Sequence, residues 1–576
     1  MTSPAGGFPA KVRRLTGRLN PFPDAARPLF RPAPAEIVLW LLFAAVTLLM
    51  VCYHEPWRDE AQAYVLVRDT TLTELILHMK FESQFLLWYL LTWVLVRLFG
   101  VTIFGLNLLH WAISCCTAFL VLRRAPFRLL TRAALIFAVM FAFEFTVVTR
   151  HYAIGVFLLT ILMLNWRSRF KRPVLYACGI ALCASTNLPV WTCLGGLCAA
   201  IGYEVISRKL WSRSVVTAML VAFFGFILAL AEIFNGHGFG SPYVSYRGNQ
   251  VAGFELVKRF RDMSNAVFNT VFFPLFQWGH QVPRNVKEGL GFSALDWCLL
   301  WLLTACFLLG VLYLSRKSVS ALLCCLTNAF LMFSLQFVGG FHSMRHVGFL
   351  LIGTVVSCWI AAQEEEPETL HGFAFLSRLP RWAATGLCVA SGCAAGLLLF
   401  LQAILTPCFV WMEVKYPFSH GQAASYFIRD NVPADVPMYC FSARSNVSVL
   451  PWLPGRSYFI FDRMEQGTYS KWGRSHGLSM KGMAEVIAEY LKPDQRYAVF
   501  VVAMNEDPNL IPPNMILLYD SFQNEEPVWG PYIEEFKVYA VVREEEKDLY
   551  RPRVQRIPPK FIPEGVKIKE APPGIW

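Results

Sequence analysis

The stretch His54-Glu-Pro-Trp-Arg-Asp-Glu-Ala-Gln-Ala-Tyr64 begins immediately after the first long apolar segment of the chain, residues 37–53. It places two adjacent carboxylates, Asp59 and Glu60, beside Arg58 at the point where a membrane-spanning helix would emerge. Ionisable groups at such a position are costly unless they face water, a partner or a substrate. The position therefore predicts a polar site in the first external loop. The alternative is a solvated loop with a chance acidic pair, because Asp-Glu is a common dipeptide.

The composition of the chain sets its class. Of its 576 residues, 55% are hydrophobic and only 16% are charged, whereas soluble domains are about a quarter charged. The chain is therefore expected to be a membrane protein with some soluble mass attached. Its net charge of +12 comes from short basic clusters between apolar segments. Such clusters are typical of the cytoplasmic loops of membrane proteins, so we expect no nucleic-acid partner.

The cysteines do not indicate a metal site. Most of the 16 cysteines lie inside apolar segments, where they behave as small buried hydrophobes. The sequence has no Cys-x-x-Cys pair and no Cys/His zinc spacing. A divalent cation remains an open alternative as cofactor, because Glu82, His342 and His346 could supply ligands, but no spacing requires one.

Twelve apolar segments approach the roughly 20 residues that a membrane span requires. In chain order they are 37–53, 85–99, 104–122, 133–149, 152–166, 174–187, 188–206, 215–234, 295–314, 319–338, 346–362 and 383–405.

The basic clusters decide whether 85–99 spans the membrane. If it spans, four clusters face outward although the basic N-terminus faces inward, against the usual bias. If 85–99 instead lies along the outer surface, all four move to the cytoplasmic side. We therefore predict about 11 spans, with the N-terminus inside and the C-terminus outside; a short span that violates the bias is the alternative. The clusters are Arg123/Arg124/Arg128/Arg132, Arg167/Arg169/Lys171/Arg172, Arg208/Lys209/Arg213 and Arg316/Lys317.

This topology makes residues 54–103 one external loop. Its apolar periodicity predicts surface-lying helices at 59–69, 71–80 and 84–98. Such helices lie beside the lipid headgroups, where a lipid-borne substrate would present its phosphate.

Three further polar groups are predicted on the same face of the membrane as Asp59. In the segment 235–294, basic residues flanked by aromatic residues suit contact with phosphate, although interfacial anchoring alone is the alternative for this group. Together they predict one composite polar site. The residues are Lys258 and Arg259 in the segment 235–294, Arg150, His151 and Tyr152 in the turn between two spans, and His342, Arg345 and His346 in a late loop.

The chain falls into four parts. Residues 1–35 are expected to form a disordered basic cytoplasmic tail, 36–405 the multi-span core, 406–550 an external domain and 551–576 an extended tail. Strand-like runs that alternate with helical patterns indicate an α/β domain. It has no Gly-x-Gly-x-x-Gly motif, and we expect no active site of its own. Its strands are expected at 436–440, 458–461, 497–503, 515–519 and 535–542, and its helices at 420–431 and 479–491.

Two stretches of the first external loop carry a family resemblance: Trp57-Arg-Asp-Glu-Ala-Gln-Ala-Tyr64 with its continuation to Asp69, and Phe81-Glu-Ser-Gln-Phe-Leu-Leu-Trp-Tyr89. They resemble the integral-membrane C-type glycosyltransferases, in particular the dolichyl-phosphate-mannose–protein mannosyltransferase-like group that includes the lipid A aminoarabinose transferases. The resemblance implies a multi-span core, juxtamembrane helices and often an external C-terminal domain. It also implies transfer of a sugar from a polyprenyl-phosphate donor to an external lipid, glycan or protein.

The resemblance assigns roles to individual residues. It implies that Asp59 is the catalytic acidic residue, Glu60 its neighbour, and Glu82 the acidic residue before a juxtamembrane helix. Arg150 and Tyr152 match an Arg-x-Tyr turn of the family. Arg345-His346 matches an Arg-His pair in a late external loop.

The chain also departs from the family pattern. Many relatives have Gly-His-Pro-Pro after the acidic residue, where this chain has Ser83-Gln-Phe-Leu86. A metal or phosphate role at that spot is therefore not carried over. The family's Asp in the second external loop is also absent, and His151 is the nearest polar candidate.

Glycosyl transfer requires a base for the acceptor and positive charge for the departing lipid phosphate. We expect Asp59 to act as the base, with Glu60 and Glu82 shaping the site, and the setting to be the inner membrane of a bacterium. The rival function is a lipid or glycolipid transporter, but the sequence shows no internal repeat of the kind that many carriers have. The expected phosphate ligands are Arg58, Arg150, Tyr152, Arg345 and His346, with His151, His342, Lys258 and Arg259 as further candidates.

Overall fold

The computed structural model describes residues 32–82, 84–234, 318–339, 344–363, 381–471, 479–503, 511–521, 528–529 and 534–547. Several sequence predictions lie outside these residues. They concern the N-terminal tail before residue 32, the loop 235–294 with Lys258 and Arg259, the apolar segment 295–314, His342, and the C-terminal tail.

The N-terminal two thirds of the described chain is helical. Six helices in the described residues are long and apolar enough to cross a membrane, namely α1, α5, α9, α10, α11 and α12. The helices, in chain order, are α1 Pro34–Tyr53, α2 Arg58–Asp69, α3 Leu72–Glu82, α4 Leu86–Phe99, α5 Ile103–Arg124, α6 Leu129–Ile136, α7 Tyr152–Leu164, α8 Pro173–Ala184, α9 Val190–Ser207, α10 Arg213–Phe234, α11 Val319–Gly339, α12 Met344–Gln363 and α13 Arg381–Lys415.

One apolar segment does not form the continuous helix that its sequence predicts. The segment 133–149 divides into the end of α6, a short π-helix at Met140–Glu144 and a turn that reaches Arg150. Irregular backbone at membrane depth must find hydrogen-bond partners in the protein. Helix α5 supplies two of them, since Ser114 donates to the carbonyl of Phe145 at 2.7 Å and His110 lies 3.1 Å from that of Thr146. The prediction of one helix over 133–149 was therefore wrong.

The break has a consequence for function. Because the chain leaves the helical path after Glu144, Arg150 is carried into the interior, where it is only 5% exposed. The sequence placed Arg150 in a short external turn between two spans. In the structure this turn is buried, and Arg150 contacts Asp59 of the first loop.

Three helices follow α1 outside the first span, within two residues of the predicted bounds. Helix α4 ends at Phe99 and is followed by Gly100, whose φ of +64° is the left-handed conformation that favours glycine at a helix C-terminus. Helices α3 and α4 expose apolar side chains such as Ile76 and Leu98, as surface-lying helices do. Helix α2 differs from the prediction, because residues 60–67 are all buried.

The topology gives a direct test. If α4 lies on the outer surface, a cysteine before α4 and a cysteine at its C-terminal end should both react with a membrane-impermeant maleimide added outside intact cells. We expect Thr73→Cys and Phe99→Cys, both exposed positions, to be labelled to the same extent. Each should be labelled more strongly than the parent protein. Leu130→Cys, 82% exposed at the start of α6, should label only after the membrane is opened. Labelling of Phe99→Cys only after opening would restore α4 as a span.

The C-terminal domain is built on one mixed sheet with the strand order β3-β2-β1-β4-β6-β5. Strand β1 pairs in parallel with β2 and β4, and the other pairings are antiparallel. Five strands and both longer helices match the predicted positions, and β3 was not predicted. The elements are α14 Gly421–Asn431, β1 Met438–Cys440, α15 Ala443–Asn446, β2 Tyr458–Ile460, β3 Glu465–Gly467, α16 Met480–Tyr490, β4 Ala498–Ala503, β5 Met515–Asp520 and β6 Phe536–Val541.

Helix α2 and the C-terminal domain share one hydrophobic core. Ala61, Val65 and Leu66 are buried completely in the same cluster as Phe427 and Leu450 of the domain. Burial of this kind stabilises by about 25 cal/mol per Å² of apolar surface. The domain therefore packs directly on the helix that begins with Arg58, Asp59 and Glu60.

Candidate active site

Asp59 and Glu60 lie in the first turn of α2 and point in different directions. Successive residues of an α-helix are about 100° apart around its axis. Asp59 consequently faces a group of arginines, whereas Glu60 enters the protein interior. The acidic pair that the sequence presents as one feature is two separate features of the structure.

Three guanidinium groups surround the carboxylate of Asp59. Its Oδ2 lies 2.9 Å from Arg150 and 3.2 Å from Arg345, and its Oδ1 lies 3.6 Å from Nε of Arg58. Arg345 also lies over the ring of Trp57, 4.8 Å from its centroid. These residues come from α2, from the turn after the π-helix and from the start of α12. Three guanidinium groups thus meet one carboxylate, and the Asp59 side chain is 13% exposed.

Tyr152 and His346 lie beside the arginines. The Tyr152 hydroxyl is 2.9 Å from Nε2 of His346 and joins α7 to α12. His151 is buried against Tyr152, with their ring centroids 4.2 Å apart. Burial, reinforced by the charge of Arg150, holds the pKa of His151 well below its usual value. His151 therefore adds no positive charge, although it lies beside Tyr152, next to the arginine group.

Glu60 belongs to a buried polar knot instead of the arginine group. It accepts hydrogen bonds from the backbone N–H groups of Trp57 and Thr149. Its other contact is His54, whose Nε2 is 2.9 Å from Glu60 and whose Nδ1 is 2.6 Å from Glu413 on α13. The knot fixes the ends of α1 and α13 and the start of α2 to one another. Sequence reasoning missed His54 and Glu413.

Burial by itself would lower the pKa of His54. The carboxylates of Glu60 and Glu413 outweigh this effect and raise the pKa from 6.5 to about 10. His54 is therefore an imidazolium at neutral pH. It offsets part of the cost of burying two carboxylates.

This shift predicts a pH dependence of stability. The folded protein holds a proton on His54 that the unfolded chain releases above pH 6.5, so the stabilisation is complete below 6.5 and lost as pH rises through about 10. Each pKa unit corresponds to about 1.4 kcal/mol. We expect the midpoint of thermal unfolding in detergent to fall between pH 6.5 and 10. His54→Gln should be less stable than the parent at pH 7, and its unfolding midpoint should fall less over this pH range. Equal slopes in the two proteins would contradict the assignment of the pH dependence to His54.

Glu82 lies in a second polar cluster, formed by α2, α3 and α4. It accepts from Gln62 at 2.7 Å and from Tyr89 at 3.1 Å, and Nε2 of His78 is 3.1 Å away. Gln62 also donates to the carbonyl of Ser470 at 2.9 Å and accepts from its N–H at 2.9 Å. Glu82 thus joins the three helices of the first external loop and has different neighbours from Asp59.

The described residues contain no group of three or more His, Cys, Asp or Glu side chains that could hold a metal ion. The ligands considered from the sequence do not form one group. Glu82 is engaged by Gln62, His78 and Tyr89, whereas His346 pairs with Tyr152, and His342 lies outside the described residues.

No family model and no curated protein matches the chain. The solved structures that are similar to it over most of its length include two of ArnT from Cupriavidus metallidurans. The structure bound to undecaprenyl phosphate is 13% identical with a TM-score of 0.47, and the alignment covers 89% of this chain and 99% of that one. The apo structure is 12% identical with a TM-score of 0.48, covering 88% and 97%.

ArnT is a lipid A aminoarabinose transferase, a member of the group that the first external loop resembles. At this identity and with both TM-scores below 0.5, the likeness carries no argument about the reaction of this chain. The reaction and the roles of the residues rest on the site of this chain.

Proposed function

We propose that the chain is an integral-membrane glycosyltransferase that uses a polyprenyl-phosphate-linked sugar and an external acceptor. The observation that carries the proposal is the convergence of Arg58, Arg150 and Arg345 on Asp59 beside the juxtamembrane helices. Guanidinium groups match the oxygens of a phosphate by paired hydrogen bonds. The headgroup of such a donor is a phosphate that lies at the membrane surface.

The charge of the site suits the departure of a lipid phosphate. The donor is a phosphodiester with one negative charge. When the bond between the anomeric carbon and the phosphate oxygen breaks, that oxygen keeps the electron pair, and the lipid phosphate gains a second negative charge. The three arginines that meet Asp59 outnumber this carboxylate. The site therefore stabilises the leaving group more than the bound donor, which is the condition for faster chemistry.

Asp59 supplies the base in this proposal. Without donor, its Oδ2 is taken up by Arg150 and Arg345. A donor phosphate competes for the same two guanidiniums and releases this oxygen. Asp59 can then accept the proton of the acceptor's hydroxyl or amine as the acceptor attacks the anomeric carbon. Donor binding thus precedes activation of the acceptor, and a single displacement inverts the configuration of the sugar.

The other predicted residues take supporting roles. Tyr152 and His346 line the arginine group and can donate to a phosphate oxygen. Glu60 and Glu82 hold the first loop in place through the polar knot and the second cluster. The site opens on the external face of what we propose to be a bacterial inner membrane.

The test is transfer by the purified protein in lipid nanodiscs. The substrates are a radiolabelled polyprenyl-phosphate sugar and an extract of envelope lipids, glycans and proteins as acceptors. We expect a new labelled glycoside and an equal amount of free polyprenyl phosphate. Movement of the labelled lipid between leaflets of proteoliposomes without a new glycosidic bond would instead show a carrier, the rival function.

A further inference from the structure

Glu534 connects the C-terminal domain to the first turn of α2. Both of its carboxylate oxygens accept from the backbone N–H of Arg58, at 2.9 and 3.2 Å. One of them also accepts from the hydroxyl of Ser419 at 2.8 Å. Its backbone carbonyl accepts from the N–H of His420 at 3.0 Å. The side chain is therefore fixed from both sides, and the residue is 4% exposed.

At the N-terminus of α2, Glu60 accepts from the backbone N–H of Trp57. The side chain of Trp57, which precedes the helix, supplies no acceptor for the N–H groups of the first turn. The first N–H groups of a helix need outside acceptors, and a carboxylate also meets the positive end of the helix dipole. Glu534 fulfils both needs, from 476 residues further along the chain.

Arg58 connects the contact with Glu534 to the site around Asp59. Its backbone N–H is held by Glu534, while its guanidinium lies 3.6 Å from Asp59. The next residue is Asp59 itself, so a rotation of the first turn would move its carboxylate away from Arg150 and Arg345.

We propose that Glu534 is a positioning residue that caps α2 from the C-terminal domain and so holds Asp59 toward Arg150 and Arg345. The role in transfer rests on the proposed function; the capping itself does not. The C-terminal domain thereby completes the site without contributing a reacting group. A misplacement of about 1 Å at a reacting group can cost about 100-fold in rate.

The groups that face Glu534 also define a pH signature. They are Arg58 and the more distant Asp59 on α2, and the uncharged Ser419 before α14, while Glu535 faces Asp520 and Lys537. Burial raises the pKa of Glu534 to about 7, although Arg58 opposes the shift. Loss of the proton above this pH strengthens Glu534 as an acceptor for the Arg58 N–H, so kcat should rise with an inflection near pH 7.

Two variants and two measurements test the proposal. Glu534→Ala removes the acceptor and should lower kcat at least about tenfold with little change in KM for the donor. It should also speed hydrogen–deuterium exchange of the peptide containing residues 57–64 about tenfold. Glu534→Gln keeps an acceptor oxygen, should stay within about threefold of the parent rate, and should lose the inflection near pH 7. Glu535→Gln is the matched control and should change neither measurement.

The exchange measurement needs no transfer activity, so it separates the two proposals. Faster exchange in Glu534→Ala with no transfer by any form would keep the cap and overturn the proposed function. Unchanged exchange and parent-like kcat in Glu534→Ala would overturn the positioning role. If Glu534→Ala does not fold, Ser419→Ala takes its place, because it removes one contact that orients Glu534. It should show smaller changes in kcat and in exchange, in the same direction. If Ser419→Ala changed neither, the positioning role would again be overturned.

Discussion

Asp59→Asn is expected to lower kcat for transfer by at least roughly 100-fold, the usual contribution of a general base. The amide has nearly the same size and can still accept hydrogen bonds from Arg150 and Arg345, so the packing of α2 should survive. It has no basic oxygen with which to accept the proton of the acceptor. The measurement is single-turnover transfer with saturating donor, which separates chemistry from product release.

The matched control is Asp69→Asn, the same substitution at the other end of α2. Asp69 pairs with Arg68 at 2.7 Å on the surface and has no contact with the arginine group. We expect its rate to stay within about threefold of the parent. Donor affinity of Asp59→Asn should be equal to or tighter than that of the parent, because the phosphate no longer competes with a carboxylate for the arginines. Parent-like product from Asp59→Asn would remove Asp59 from the mechanism.

Much of the fold follows from local patterns in the sequence. The external helices and the strands of the C-terminal domain were placed within a few residues, because each has its own periodicity and turn residues. The segment 133–149 misled the prediction, since its apolar composition does not record that Ser114 and His110 satisfy its broken backbone. A helix was the expected result from that segment alone.

The candidate site likewise contains residues that the sequence signalled and residues that it did not. Asp59, Arg150 and Arg345 were singled out from three separate loops, and the structure brings them together. The sequence signal was the position of charges next to apolar segments. Glu413 and Glu534 gave no such signal, because each acts through a partner distant in the chain. Glu60 lies next to Asp59 in sequence, and only helix geometry shows that it faces elsewhere.

Arg345→Ala is expected to reduce kcat by about 100-fold, similar to the loss of one donor to a developing oxyanion. The charge argument makes a sharper prediction about binding. Free polyprenyl phosphate, a dianion, should lose more affinity than the donor, which is a monoanion, because the second charge develops on the oxygen that the arginines hold. Competition binding at pH 8 measures both affinities in the same preparation.

Arg345→Lys and Arg429→Ala complete this experiment. Lysine keeps the charge but loses the planar fork, so it should recover part of the discrimination between the two lipids. Arg429 forms an exposed pair with Asp430 at 2.8 Å and should behave as the parent does when replaced by alanine. Equal losses for dianion and monoanion in Arg345→Ala would mean that Arg345 holds the headgroup without favouring its departure. Catalysis would then have to depend on Arg58 and Arg150, the two remaining guanidiniums that meet Asp59.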